Sequence, residues 1–268
     1  MFNLLRMDLK RLQKSRSSYV ILILSMLVSL IFFMAIYIAL NPDLQAWMKA
    51  RGFIFQVSGM DSTQPAISFI ELFHLTYTQN FLAIFIGIAV VLFNCHEHEC
   101  GFSKNVLSIH VNRFHYILSK SIALSLYALV MMSVCFLEAI ILNLCVSSFF
   151  IFPSVQDMLL YVGLLCLIAI AFVCMYTALT IWLKSKSGCI GTVIVYATGI
   201  WMSIVNPLLG ILGWQKILDY TLMSRLGMLS RYVQSIDMNQ IFMMIFNVVC
   251  FILIYTFLST LRSYKKDI

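Results

Sequence analysis

The residues best suited to chemistry crowd into one run, Asn94-Cys95-His96-Glu97-His98-Glu99-Cys100-Gly101-Phe102-Ser103-Lys104-Asn105-Val106-Leu107. Four of the five histidines (His96, His98, His110 and His115) and two cysteines lie in or just beyond it. Imidazole and thiolate are the usual zinc ligands, so metal chemistry is the first reading to weigh. A zinc metalloprotease sets two histidines on one helical face with His-Glu-x-x-His. Here the fifth position is Cys100, which breaks that motif. His96 and Cys100 are four apart and can share a face, with His110 or His115 as a third ligand, but no standard zinc spacing results. Polar residues solvating the end of a membrane span account for the cluster more simply, and no metal site is assigned.

A second acid stands apart, Glu138 within Val134-Cys135-Phe136-Leu137-Glu138-Ala139-Ile140-Ile141. A carboxylate inside a span costs about 2.5–3.5 kcal/mol on insertion scales, so it is expected to face the bundle or a water-lined path. There it would contact a cationic substrate, pair with Tyr or Ser on a neighbouring helix as a gate, or make an interhelical hydrogen bond. An intramembrane metalloenzyme or prenyl-handling enzyme is disfavoured, because paired aspartates within spans are absent as well as His-Glu-x-x-His.

The elements that must position these residues follow from composition. Of 268 residues, 62% are hydrophobic and 11% charged. Soluble domains carry about 45–50% apolar and about 25% charged residues, so this chain cannot cover its core with polar surface. Six stretches reach the roughly 20 apolar residues that a membrane crossing needs: Tyr19–Leu40, Thr76–Cys95, Ile117–Ser147, Met158–Leu183, Gly188–Leu212 and Gln240–Leu261. None alternates with a period of two, which excludes a barrel. The fold class is all-α: a polytopic bundle of six transmembrane helices in a single transmembrane domain over 1–268.

Basic residues set the orientation. Five lie before Ser18, three between His96 and Lys120, two in the link at Lys184 and Lys186, and three in the tail, thirteen of eighteen Lys and Arg. Positive residues stay inside, so both termini are expected in the cytoplasm. The net charge of +7 is then a topology signal and not a sign of nucleic-acid binding. The first apolar run is too long for a signal peptide and has no small-residue cleavage site after it, so it is read as an anchor. The eight cysteines lie in or beside spans and suggest no disulfide framework.

Before the first span, Phe2, Leu5, Leu9 and Leu12 form an apolar stripe, with Arg6, Lys10, Arg11, Lys14 and Arg16 around it. That pattern predicts an amphipathic interfacial helix over 1–18. Asn206-Pro207 is expected to break or kink the fifth span. The outer segment 213–239 reads as short amphipathic or re-entrant helices, and Trp47, Phe53 and Phe55 mark another interfacial element.

Glu97-x-Glu99-x-Gly101-x-x-Lys104, the apolar Val106-Leu107, then Arg113 and Lys120 resemble the signature between spans two and three of type-2 ATP-binding-cassette transporter permeases. That family's pattern is roughly E-x-E-x-G-T-x-K-x-L-L, an Arg, and a Lys leading into the next span. This chain departs at Phe102, where the family has Thr, and has Val111-Asn112 where a Pro often precedes the Arg. The motif covers about 25 residues, and the layout resembles the family along the whole chain. The resemblance implies a cytoplasmic coupling helix over 96–116 that docks on a separate ATPase subunit dimer, with Glu97, Glu99, Gly101, Lys104 and Arg113 coupling to it. It also implies a second permease, a copy or a paralogue. No G-x-x-x-x-G-K-[ST] loop occurs in the chain, so ATP and Mg would belong to the partner, and no cofactor or enzymatic activity is expected here. The expected function is the permease of a bacterial cell-membrane exporter for an amphipathic peptide or bacteriocin, drug or lipid. An ATP-independent channel or secondary carrier is the alternative.

Overall fold

In hydrocarbon a backbone must satisfy its own hydrogen bonds, and long apolar runs without alternation do so as helix. A computed structural model of the chain describes residues 2–52, 67–101, 112–235 and 238–265. Among these residues helix dominates, with one isolated β-bridge between Ser68 and Ile151. Helix α1 (Phe2–Lys14) leads into α2 (Arg16–Leu40) and the short α3 (Pro42–Ala50). The next crossing is composite: α4 (Phe69–Phe73), a π-helical stretch (His74–Leu82) and α5 (Ala83–Glu99). Then come α6 (Arg113–Cys145), α7 (Val155–Leu183), α8 (Lys186–Ala197) and α9 (Ile200–Ile211). A 3-10 turn (Gln215–Tyr220), α10 (Leu222–Ser235) and α11 (Met238–Lys265) complete the described chain.

Among the described residues, five helical runs are long and apolar enough to cross a membrane: Arg16–Leu40, Phe69–Glu97, Arg113–Cys145, Val155–Leu183 and Met238–Ser263. The number becomes six if α8 and α9, bent by 64° to one another, count as one crossing. The chain is thus a polytopic α-helical membrane protein.

The break in the fifth apolar stretch is not where the sequence suggested. Pro207 sits inside α9, and the chain bends instead at Thr198-Gly199. Gly199 adopts φ 74°, which costs least without a Cβ, and its amide donates to the Tyr196 carbonyl. Thr198 Oγ1 donates back to the Ile194 carbonyl at 2.7 Å, which finishes α8. The rings of Tyr196 and Trp201 stack across the bend, 5.4 Å apart and 6° from parallel. Proline is tolerated in membrane helices because local adjustment re-satisfies the freed carbonyl, whereas a positive φ ends the helix outright.

α7 forms the centre. It packs on α5, α6, α8, α10 and α11, and Leu165, Ile168, Ala169, Phe172 and Val173 on it are wholly buried. The outer helices are one-sided. Along α6, Leu126, Val130, Leu137, Ile141 and Leu144 are exposed, while Ala128, Met131, Met132, Cys135 and Ala139 are buried. That apolar exposed stripe, at helical spacing, is the surface lipid would cover. Polar groups inside the bundle find one another: Asn94 Nδ2 donates to Thr180 Oγ1 at 3.0 Å, and Tyr161 Oη lies 3.3 Å from His74 Nδ1 and 3.0 Å from Thr78 Oγ1. Asn143 closes the α6–α7 turn by binding both the amide and the carbonyl of Phe150.

Gly87 is where α5 meets α7 and α8. A Cβ there would run into the Val193 side chain and lie 3.1 Å from the Tyr176 ring. Val193 is β-branched and fully buried, so it cannot swing aside. Gly87→Ala is expected to destabilise the protein by about 1–3 kcal/mol through overpacking. Gly163→Ala, with nothing near the added atom, should be neutral. Thermal midpoints from fluorescence-detected size exclusion in detergent would check both.

Candidate functional site

The chemistry-bearing run divides between environments because a helix turns about 100° per residue. Glu97 and Glu99, two apart, point to nearly opposite sides of the end of α5. Glu97 is completely buried and Glu99 is exposed. The inward face is continued by Asn94 and Val90, three and seven residues earlier, both buried.

Three helices converge on the Glu97 carboxylate. Arg11 of α1 donates to Oε1 and Lys120 of α6 pairs with Oε2. Tyr116, one turn before Lys120, donates its hydroxyl to Oε2 at 3.0 Å. The cations are themselves packed on rings: Arg11 lies 5.3 Å from the Phe93 centroid and Lys120 4.2 Å from that of Tyr116. A second acid joins from α1, where Asp8 is 1% exposed and accepts from Ser119 Oγ at 2.9 Å. Two carboxylates thus face two cations, and Tyr116, Ser119 and Lys120 occupy one face of α6 at spacings of three and four. Burial pushes the Asp8 carboxyl up from 3.8 to about 6, with the Ser119 hydrogen bond opposing that rise and the Glu97 charge adding to it. Lys120 and Arg11 pull it down.

The remaining residues of the motif are placed differently. Gly101 ends the described part of this segment at φ 65°, a left-handed conformation that suits glycine. Lys104 and the apolar Val106-Leu107 lie outside the described residues. Arg113, at the start of α6, donates to the Ser263 carbonyl near the end of α11. Glu97 thus pairs with Arg11 and Lys120, and Arg113 binds the tail of α11. Glu138 sits half-buried on α6, its Oε2 enclosed with no hydrogen-bond partner among the described residues. His96 and Cys100 do share a face, with sulfur 3.7 Å from Nε2, but among the described residues no three His, Cys, Asp or Glu are grouped to hold a metal.

Sequence reasoning missed Asp8 and Ser119 and did not pair Arg11 with Glu97. One signal was present: Asp8 stands within the apolar stripe, between Leu5 and Leu12 and beside Leu9. A carboxylate on the buried face of an amphipathic helix requires a polar partner opposite it. His74, the one histidine outside the cluster, carried no comparable signal, because the π-helical stretch that brings it to Tyr161 has no period in the sequence.

The fold and this site define a helical membrane protein whose amino-terminal helix is locked to the ends of two spans by buried charge. No protein-family model, curated protein or solved structure matches the chain.

Removing one member of a buried ion pair leaves the other uncompensated, at a cost of about 3–5 kcal/mol. Glu97→Ala is expected to lower stability by that amount, and Glu99→Ala on the exposed face by less than about 0.5 kcal/mol. Unfolding of the detergent-solubilised protein, followed by helical circular dichroism, would measure the difference. Asp8 supplies a pH test. The folded carboxyl keeps its proton to about 6 and an unfolded one to 3.8, so the folded state binds more protons in that window. Stability from this group falls as pH rises through the window and stays lower above it. Asp8→Asn should remove this part of the pH dependence, seen as a flatter thermal midpoint between about pH 4 and about pH 7 than in the parent.

Proposed function

We propose that the chain is the membrane-spanning permease subunit of an ATP-driven exporter, with residues 96–116 coupling it to a separate ATPase dimer. The observation that carries this reading is the position of Glu97. It stands at the head of the permease-like motif, five residues before the segment 102–111, and it ties α1, α5 and α6 together. A force applied to that segment would therefore reach three helices at once. Exposed Glu99 is available to an outside partner, in contrast to Glu97.

The topology favours the same reading. Arg11 meets Glu97, Arg113 meets Ser263, and Arg262 lies 5.3 Å from the Trp182 ring, so the starts of α2 and α6 and the ends of α5, α7 and α11 share one end of the bundle. With α8 and α9 counted as one bent crossing, six spans put both termini on that side, and the basic residues make it the cytoplasm. The host membrane would be a bacterial cell membrane. Nucleotide and Mg chemistry would reside in the ATPase, and a second permease, a copy or a paralogue, would complete the pathway. The substrate would be amphipathic: a peptide or bacteriocin, a drug or a lipid. Closure of the ATPase dimer would push the coupling segment and rock the bundle between inward and outward access.

One observation favours a secondary carrier instead, the enclosed Glu138 oxygen without a partner among the described residues, since an acid within a span suits a cation pathway. Affinity capture in mild detergent separates the two. The parent is expected to recover an ATPase bearing a phosphate-binding loop. Glu99→Lys with Lys104→Glu should weaken that recovery about tenfold, which corresponds to roughly 1.4 kcal/mol. Glu99 is exposed, in contrast to Glu97, and a size-exclusion profile matching the parent's would show that loss of the partner does not reflect unfolding. A folded parent that recovers no ATPase would overturn the exporter reading and leave the carrier.

A further inference from the structure

On the side of α1 away from Asp8 lies a cavity of about 910 Å3, walled by α1, the start of α2, the end of α5 and the first residue of α8. Among the described residues, six cations line it, Arg6, Lys10, Arg11, Lys14, Arg16 and Lys186, and no carboxylate does. Arg11 is held by Glu97; the other five make no ion pair with a described residue. Arg6, Lys10 and Lys14 follow one another at spacings of four, so they stack on one face of α1 and repel each other. Lys186 adds its charge from a different helix.

Two further features say what would relieve that repulsion. The N-terminus of α2 opens on this cavity with no side-chain cap on Ser15, and Ser15, Ser17 and Ser18 line it. An uncapped helix N-terminus presents amide donors and the positive end of its dipole, which suits a phosphate. Deeper in, the lining changes to Ile21, Ala89, Leu92 and Phe93. Ala89 lies seven residues before His96, roughly 10 Å further into the span at 1.5 Å per residue. The cavity therefore offers cations and hydroxyls at its mouth and hydrocarbon at its floor.

We propose that this cavity binds the headgroup of an anionic phospholipid, with the phosphate among Lys10, Lys14, Arg16 and Lys186 and the start of an acyl chain against Ile21, Leu92 and Phe93. Basic pockets between membrane helices recognise anionic headgroups in this way. A soluble phosphate would satisfy the cations but has no use for the apolar floor. The bound lipid would neutralise the outer face of α1 as Asp8 and Glu97 neutralise the inner one. The inference goes beyond the exporter reading and stands or falls without an ATPase.

The test uses the whole chain in nanodiscs of phosphatidylcholine, with and without phosphatidylglycerol, followed by native mass spectrometry and thermal midpoint. The parent is expected to retain phosphatidylglycerol and to melt higher with it than in phosphatidylcholine alone. Each cation near an anionic headgroup contributes about fivefold, so Lys14→Gln/Arg16→Gln/Lys186→Gln should weaken retention by roughly a hundredfold. Lys186→Gln alone, on a separate helix, should weaken it about fivefold and serves if the triple variant does not fold. Equal retention of the two lipids by the parent would overturn the proposal, and so would undiminished retention by a folded variant. The same stabilisation by inorganic phosphate in phosphatidylcholine discs would also overturn it, because the site would then take a soluble anion.

Discussion

A carboxylate with no exposed surface at the end of a membrane span needs fixed positive charge beside it. Glu97 meets that constraint by drawing one cation from a helix before it in sequence and another from the helix after it. The result is a joint that none of α1, α5 and α6 can leave without stranding charge in a poorly solvated place. Much else at this end of the molecule follows from that joint. It holds α1 against the bundle, so Leu5, Leu9 and Leu12 of the stripe pack on protein where a free amphipathic helix would pack on lipid, while Phe2 stays exposed. It fixes the rotation of α6 so that Tyr116, Ser119 and Lys120 face inward and the exposed aliphatic stripe faces out.

The crossings were legible in the sequence, since hydropathy sums over some twenty residues and tolerates local error. The apolar stripe of α1 was legible for the same reason. What failed were features settled by single residues. Pro207 reads as a helix breaker from its chemistry, but the bend went to Gly199, whose freedom at positive φ is invisible until the chain uses it. Glu97 and Glu99 carry the same expected coupling role in the motif, yet two residues on a helix face apart, and one is buried while the other is exposed. Asp8 is hidden among basic neighbours and shows its role only when Ser119, 111 residues later, is brought opposite. The π-helical stretch at His74–Leu82 has no compositional mark, and with it went the His74–Tyr161–Thr78 cluster. Lys104 belongs to the part of the motif that lies outside the described residues.

Within the site, α1 acts as a partition between two electrostatic surroundings. Toward α6, Asp8 is buried against Ser119, and Arg11 reaches the wholly buried Glu97 while staying partly exposed itself. On the other side Arg6, Lys10 and Lys14 line the cavity, with no acid opposite them among the described residues. A helix this short, thirteen residues, would be marginal alone in water. Its order comes from tertiary contacts, which makes its docking responsive to whatever changes the charge on either side.

The distances along the chain between the members of the joint set an order of events during synthesis. Arg11 waits 86 residues for Glu97, and Asp8 waits 111 for Ser119. At about 5–20 residues per second, that interval is on the order of ten seconds. For that time α1 exists with its acid and its cations unmatched, while three membrane helices are still being threaded. Helix α1 thus takes its place only once the start of α6 has been made, and its closure there marks the moment when that span has arrived in the correct rotation.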